Sequence, residues 1–485
     1  MTSDAAQRNE NRSTTPTSTG FTTFISEQWA EAPQSKQTLS AAAVAAAPRR
    51  AHLSADFAGV RLVIPSGPFK QRANDTDYAY RAHSAFSYLT GWGADTVADS
   101  VLVFEPTASG HDVTLFLRPT ADRTTEEFYA DAGIGEFWVG RRPGLGEVAD
   151  RLGLATRDLA DFDGELSGWA DGNTVVIREA DPAITASLDA VRNAPGDDDE
   201  FAEAISELRL VKDDYEIAEM RAAISSTARA FDDVLRELPR IRQADRGERV
   251  IEGVFFTRAR LEGNDVGYGS IAAAGAHATI LHWTRNDGAV RDGELVLLDA
   301  GVERESFYTA DITRTFPVNG QFSAVQREVY EAVREAADAA LAIVKPGIIF
   351  KDVHAEAMKV IARKTSEWGF LPVSAEESLL PENQFHRRYM VHGTSHHLGI
   401  DVHDCAQARR EFYIDGEVQA GMIFTIEPGL YFQPDDLTVP EEFRGIGVRI
   451  EDDILVTATG AENLSAAIPR SADEVEAWVK RLSRG

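Results

Sequence analysis

The sequence predicts a mixed α/β (α+β) protein: an α/β domain over residues 51–205, then a second domain over 206–485 built as two halves related by an approximate twofold. Three observations carry this. A chain of 485 residues is too long for one ordinary core. From about Ala51, short apolar runs alternate with helical stretches, the pattern of a largely covered sheet. Beyond Ser206, the order helix, helix, strands occurs twice.

Composition narrows the function. Hydrophobic content of 43% and charged content of 26% belong to a globular protein. No run of eighteen apolar residues exists, so no transmembrane helix and no membrane partner are expected. A net charge of −29 repels phosphate backbones, which makes nucleic acid a poor partner. The single cysteine, Cys405, excludes an intrachain disulfide and reads as a small buried hydrophobe. The N-terminus lacks a basic-then-apolar signal pattern, which favours the cytoplasm.

Residues 1–50 read as an extension. The first 20 or so are Ser/Thr-rich and expected to be mobile, and the Ala-rich run LSAAAVAAA is expected to be helical. In the first domain, strands are expected at Val60–Ile64, Val101–Phe104, Val113–Leu117 and Val175–Ile177. Helices fall at Thr124–Ala132 and Gly146–Leu152, and a solvated break near Pro195–Asp199 ends the domain. The second domain opens with helices over Tyr215–Leu238 and Glu248–Leu261, followed by strands at Ser270–Ala274, Glu294–Ala300 and Tyr308–Phe316. The order then recurs. Ser323–Val344 is a helix stopped by Lys345–Pro346–Gly347, Val353–Trp368 is another, and strands follow at Met422–Ile426 and Gly447–Val456.

Met390–Asp404, MVHGTSHHLGIDVHD, holds four of the eleven histidines: His392, His396, His397 and His403. One histidine in a loop is unremarkable. Four in a Gly-bent segment argue for a site if carboxylates can complete it. Asp299 ends the apolar run ELVLLDA, and Asp311 lies in TADITRTF, where Thr309, Asp311, Thr313 and Thr315 share a face by strand alternation. A strand–turn–strand brings Asp299 beside Asp311. Glu427 interrupts IFTIEPGLY and Glu451 interrupts GVRIEDDILV. Four acids facing one another at ~4 Å repel by several kcal/mol per pair at an effective dielectric of ~20. Two divalent cations remove that repulsion. Oxygen-dominated coordination with one imidazole, His396, points to Mn2+, with Co2+, Fe2+ or Zn2+ as alternatives. Such a pair activates a bridging water and polarises a carbonyl.

These residues carry a family resemblance. ILHWTRND at 280–287, LLDAG with DITRTFPVNG at 297–320, HGTSHHLGIDVHD at 392–404, TIEPGLY at 425–431 and GVRIEDD at 447–453 resemble, in family order, the motifs of the Xaa-Pro aminopeptidases (aminopeptidase P), which are pita-bread metallopeptidases. DYAYRAHSAFSYLTGW at 77–92 and EFWVGRRPG at 136–144 resemble the creatinase-like N-terminal domain of the same family. The resemblance implies removal of the first residue from peptides with proline second. It implies that Asp299, Asp311, His396, Glu427 and Glu451 are the metal ligands, with Asp311 and Glu451 shared between two ions. Glu427 would also act as general base, and His403 would stabilise the tetrahedral intermediate. His282 and His392 would flank the scissile bond, and Arg449 would help hold the proline side. No role is implied for His397, which reads as structural. Family members use the N-terminal domain for assembly and restricted access, so a homotetramer or homodimer is expected. The first fifty residues and EFYIDGEVQAGM at 411–422 depart from the pattern.

Prolidase, which cleaves Xaa-Pro dipeptides, shares the five ligands and is the nearest alternative. A creatinase-like or binding protein on the same scaffold would be expected to have lost ligands. HExxH, GxSxG and GxxxxGK[ST] are absent, which removes motif support for zincin, serine-hydrolase and P-loop chemistry.

Overall fold

A computed structural model describes residues 15–30, 36–74, 76–170, 173–193 and 196–483. Two compact units divide the chain at Ile205/Ser206. In the first unit, a helix over Thr19–Ser26 opens on its Ser18 cap, so this part of the extension is ordered; the remaining residues of the expected mobile segment, 1–14, lie outside the described residues. The Ala-rich run is helical over Ala41–Asp56, with Ser40 Oγ accepting the Ala43 N–H.

A five-stranded sheet forms the body of this unit, in the spatial order Ala155–Asp158, Gly110–Leu117, Val101–Thr107, Arg61–Pro65, Thr174–Val176. It is mixed: the two central pairings are antiparallel and each outer strand runs parallel to its neighbour. Ala155–Asp158 has little apolar character and was not expected as a strand. Val63, Val103, Phe116, Phe162, Trp169 and Leu188 pack one face. Of the expected solvated break at Pro195–Asp199, Pro195 lies outside the described residues, while Asp198 already opens a helix to Leu208 and its carboxylate receives Arg192 and Arg178.

The second unit shows helix, helix, strands twice. Its first pair is Asp214–Arg236, started by an Asp213/Glu216 capping box, and Gly247–Glu262. The strands β1 (Ile271–Ala274), β2 (Leu295–Asp299) and β3 (Thr313–Pro317) form an antiparallel sheet with β2 central. The second helix pair is Ala324–Ile343, started by Ser323 and Gln326, and Lys351–Glu367. Its strands are β4 (Ile423–Ile426), β5 (Gly429–Tyr431), β6 (Gly447–Arg449), β7 (Asp452–Val456) and β8 (Ala461–Asn463). Both helix pairs and both sheets contribute to one hydrophobic core.

Two expectations are corrected in ways that shape the site. Tyr308–Phe316 is not one strand: β3 begins at Thr313, and Thr309 makes only an isolated bridge to Glu303. Gly447–Val456 is two strands, since β6 pairs with β5 while β7 pairs with β4. Ile426 pairs with Asp452 and Gly429 with Arg449, so Glu427 and Glu451 face each other across a single interruption. Pro428 supplies the cause, because it has no N–H for the ladder.

Candidate metal centre

All nine residues singled out by sequence line one cavity of about 690 Å3, joined by Tyr268. β2 delivers Asp299 at its last residue. Asp311 lies two residues before β3, and the chain there crosses Gly301 so closely that a Cβ would stand 1.7 Å from the Ala310 carbonyl oxygen. Only glycine permits that crossing. Asp299 and Asp311 do come together, through Tyr268, whose hydroxyl lies 2.7 Å from Asp299 Oδ1 and 2.5 Å from Asp311 Oδ1. Sequence reasoning missed Tyr268. Its flanking glycines, Gly267 and Gly269, were the available signal.

Thr313 and Thr315 join the two halves. Thr313 Oγ1 donates to Glu451 Oε2 at 2.7 Å, the Glu451 N–H donates to the Thr313 carbonyl at 3.1 Å, and Thr315 Oγ1 donates to the Arg449 carbonyl at 2.9 Å. The face-sharing expected for these threonines therefore holds for the part that is strand.

Residues 394–397 run along β4: the Thr425 N–H donates to the His396 carbonyl at 2.9 Å and the Glu427 N–H to the Thr394 carbonyl at 2.9 Å. His396 Nδ1 donates to the His397 carbonyl at 3.1 Å, which leaves Nε2 facing Asp311 Oδ2 at 3.4 Å and Glu427 Oε1 at 3.6 Å. A carbonyl on one ring nitrogen is how a metal-binding imidazole is held. His403 stands edge-on to His396, 4.4 Å between ring centres. His397 points away from the cavity and stacks on Phe350 at 4.6 Å, in keeping with a structural part.

Arg449 is buried and already engaged. It donates to Asp299 Oδ2 at 2.5 Å, to the Tyr431 hydroxyl at 3.0 Å and to Thr313 Oγ1 at 3.1 Å. Because Tyr431 receives that N–H, its own proton goes to His392 Nε2, 2.8 Å away, and His392 Nδ1 then donates to the Gly393 carbonyl. Tyr431 closes the TIEPGLY segment, and nothing in the sequence marks it for this relay.

The electrostatics agree with a cation site. Burial pushes Glu427 up to about 7, with Asp311 and Asp299 adding to it against His396 and Arg449. Burial and the Asp311 and Glu427 charges hold Glu451 well above the carboxylate range. Asp299 is raised by burial, opposed by Arg449. For His396, burial is the largest effect and lowers its pKa, but the Asp311 hydrogen bond and the Glu427 and Asp311 charges outweigh it, to about 9. Each of these shifts reflects the cost of gathering buried negative charge, the cost that bound cations would offset. Asp311, His396 and Glu451 offer ligand atoms that all lie within 4.8 Å of one another. Four carboxylates and one imidazole form a hard, oxygen-rich donor set that fits divalent cations.

Comparison with known proteins leads to the same place. The profile of metallopeptidase family M24 matches residues 218–458, and that of the aminopeptidase P N-terminal domain matches 46–177. Xaa-Pro aminopeptidase 1 of Streptomyces coelicolor is 52% identical over 442 residues, spanning 91% of this chain and 88% of its own. Xaa-Pro aminopeptidase 2 of the same organism is 50% identical over 94% of this chain and 95% of its own. Among solved structures, Pseudomonas aeruginosa aminopeptidase PepP superposes with a TM-score of 0.79 at 30% identity, over 91% of this chain and 98% of that one. The Glu383Ala variant of Escherichia coli aminopeptidase P with substrate gives 0.78 at 31% identity, over 92% and 99%. The chain belongs to the M24 metallopeptidases, whose pita-bread domain is the second unit. Within them it groups with the aminopeptidases P, and it is a metal-dependent exopeptidase.

Proposed function

We propose that this cavity removes the N-terminal residue from peptides with proline in second position. The observation that carries the reading is the in-register opposition of Glu427 and Glu451, beside Asp299 and Asp311 and closed by His396. In this reading those five residues would hold two divalent cations. Mn2+ suits the donor set best, with Co2+, Fe2+ or Zn2+ as alternatives. When bound, the cations supply Lewis acidity toward the scissile carbonyl and lower the pKa of water.

The protein's own groups do the rest. Glu427 collects the proton of the attacking water and passes it to the proline nitrogen, which then leaves as a neutral secondary amine rather than as an anion. His403 presents an N–H to the developing oxyanion. His282 and His392 flank the scissile bond. With its guanidinium engaged, Arg449 acts on the proline side through Tyr431 and His392.

Chelation followed by metal analysis and assay of Xaa-Pro-Yaa and Xaa-Pro peptides tests this. Turnover should vanish with the metal, return with Mn2+, and extend to the tripeptide. Full activity after metal removal would refute the metal mechanism, and cleavage of dipeptides alone would make the enzyme a prolidase.

The proposal includes a cytoplasmic setting, in keeping with the free, buried Cys405. It also includes a homodimer or homotetramer. Supporting assembly, Trp29, Phe137, Trp138 and Val139 of the first unit are exposed, and both Trp29 and Phe137 lie against Phe128.

A further inference from the structure

We propose that Glu248 is a positioning residue that sets the segment 277–288, and with it His282, over the cavity. Glu248 lies in the first turn of the helix Gly247–Glu262 and is wholly buried. Its carboxylate accepts four hydrogen bonds, two on each oxygen. The Ala274 N–H and His277 Nδ1 reach Oε1 at 2.8 and 2.7 Å, while Trp283 Nε1 and the Gly288 N–H reach Oε2 at 2.8 and 2.6 Å. The Glu248 N–H in turn donates to the Gly288 carbonyl at 3.1 Å. His277 and Trp283 stack 3.8 Å apart, so the two side-chain donors brace each other.

The four donors begin at the last residue of β1 and end at Gly288, and His282 and Thr284, which line the cavity, flank Trp283. Asn286, in a left-handed conformation (φ 48°), ties the same segment to β1 by accepting from Ala272 N–H and donating to the Ser270 carbonyl, both at 2.9 Å. Gly288 is required where it stands: a Cβ there would lie 2.7 Å from His277 and 2.9 Å from the Glu248 carboxyl carbon. A carboxylate with every acceptor used by four fixed N–H groups has no capacity left for substrate. Its contribution to turnover is geometric, because small displacements of groups over the reacting bond cost rate.

The inference rests on the part given to His282, and the test separates the two. Glu248→Gln places an NH2 where two of the four N–H donors now point, and Gly288→Ala disturbs the anchor from the other side. Glu248→Gln and His282→Ala should each lower kcat on Xaa-Pro-Yaa by ~10- to 100-fold. The double variant should fall no further than the worse single one, since both remove the same contribution. Metal content should stay normal, and amide exchange over 277–288 should accelerate in Glu248→Gln and Gly288→Ala while the rest of the second unit stays protected. A normal kcat in Glu248→Gln beside a slowed His282→Ala overturns this inference alone. Additive losses, unchanged exchange, or metal loss in Glu248→Gln overturn it too. A normal kcat in His282→Ala overturns the reading of His282 and, with it, this one.

Discussion

The Tyr268 hydroxyl meets two carboxylate oxygens but carries one proton, so it can satisfy only one of Asp299 and Asp311 at a time. Burial and the charges of those acids raise its own pKa far above the usual phenol range, so it stays a donor. Tyr268→Phe should therefore weaken metal binding by ~10- to 100-fold, the usual effect of losing an outer partner of a ligand, and calorimetric titration of the chelated protein checks it. Unchanged affinity would show the hydroxyl to be incidental. Asp299, Glu427 and Glu451 were legible because each ends or interrupts an apolar run, where an unpaired charge is costly, and His392, His396 and His403 because they crowd one Gly-bent segment. Tyr268 and Glu248 were not legible, since a tyrosine or a first-turn glutamate is unexceptional in isolation.

Interrupted strands are what make the centre. β4–β7 and β5–β6 would form one ladder but for Pro428, and the gap exposes two facing acids. Below it, Arg314, with no exposed surface, donates to Asp452 Oδ1 at 2.7 Å and to the Glu451 carbonyl at 2.6 Å. Arg314→Met removes one of the two guanidinium partners of buried Asp452, leaving Arg470 on Oδ2, and should destabilise the fold by ~1–3 kcal/mol, read from urea unfolding. On the helix Lys351–Glu367, burial first and Arg387 second lower His354 from 6.5 to about 4. The unfolded chain protonates this ring below pH ~6.5 while the folded form refuses the proton until about 4. Its stability contribution is thus complete above pH 6.5 and lost as pH falls toward 4. His354→Gln should flatten that part of the stability–pH curve by up to about one proton, and thermal unfolding from pH 7 to 4 measures it. An identical slope would place the acid sensitivity elsewhere.

At the scale of the whole molecule, exposed rings near Phe128 are the surface to test for assembly. Phe137→Asp should lower the mass measured by light scattering while leaving far-ultraviolet dichroism unchanged; an unaltered mass moves the interface elsewhere. The sequence by itself determined the mixed fold, the helix–helix–strand order and the identity of the acids and histidines, because periodicity and interrupted apolar runs are local properties of the chain. Tertiary structure alone decided that Glu427 opposes Glu451, that Arg449 is already bound to Asp299 and Tyr431, and that Glu248 gathers four donors. Register across a broken ladder and the satisfaction of a buried carboxylate depend on residues up to 150 positions apart, which no local pattern encodes.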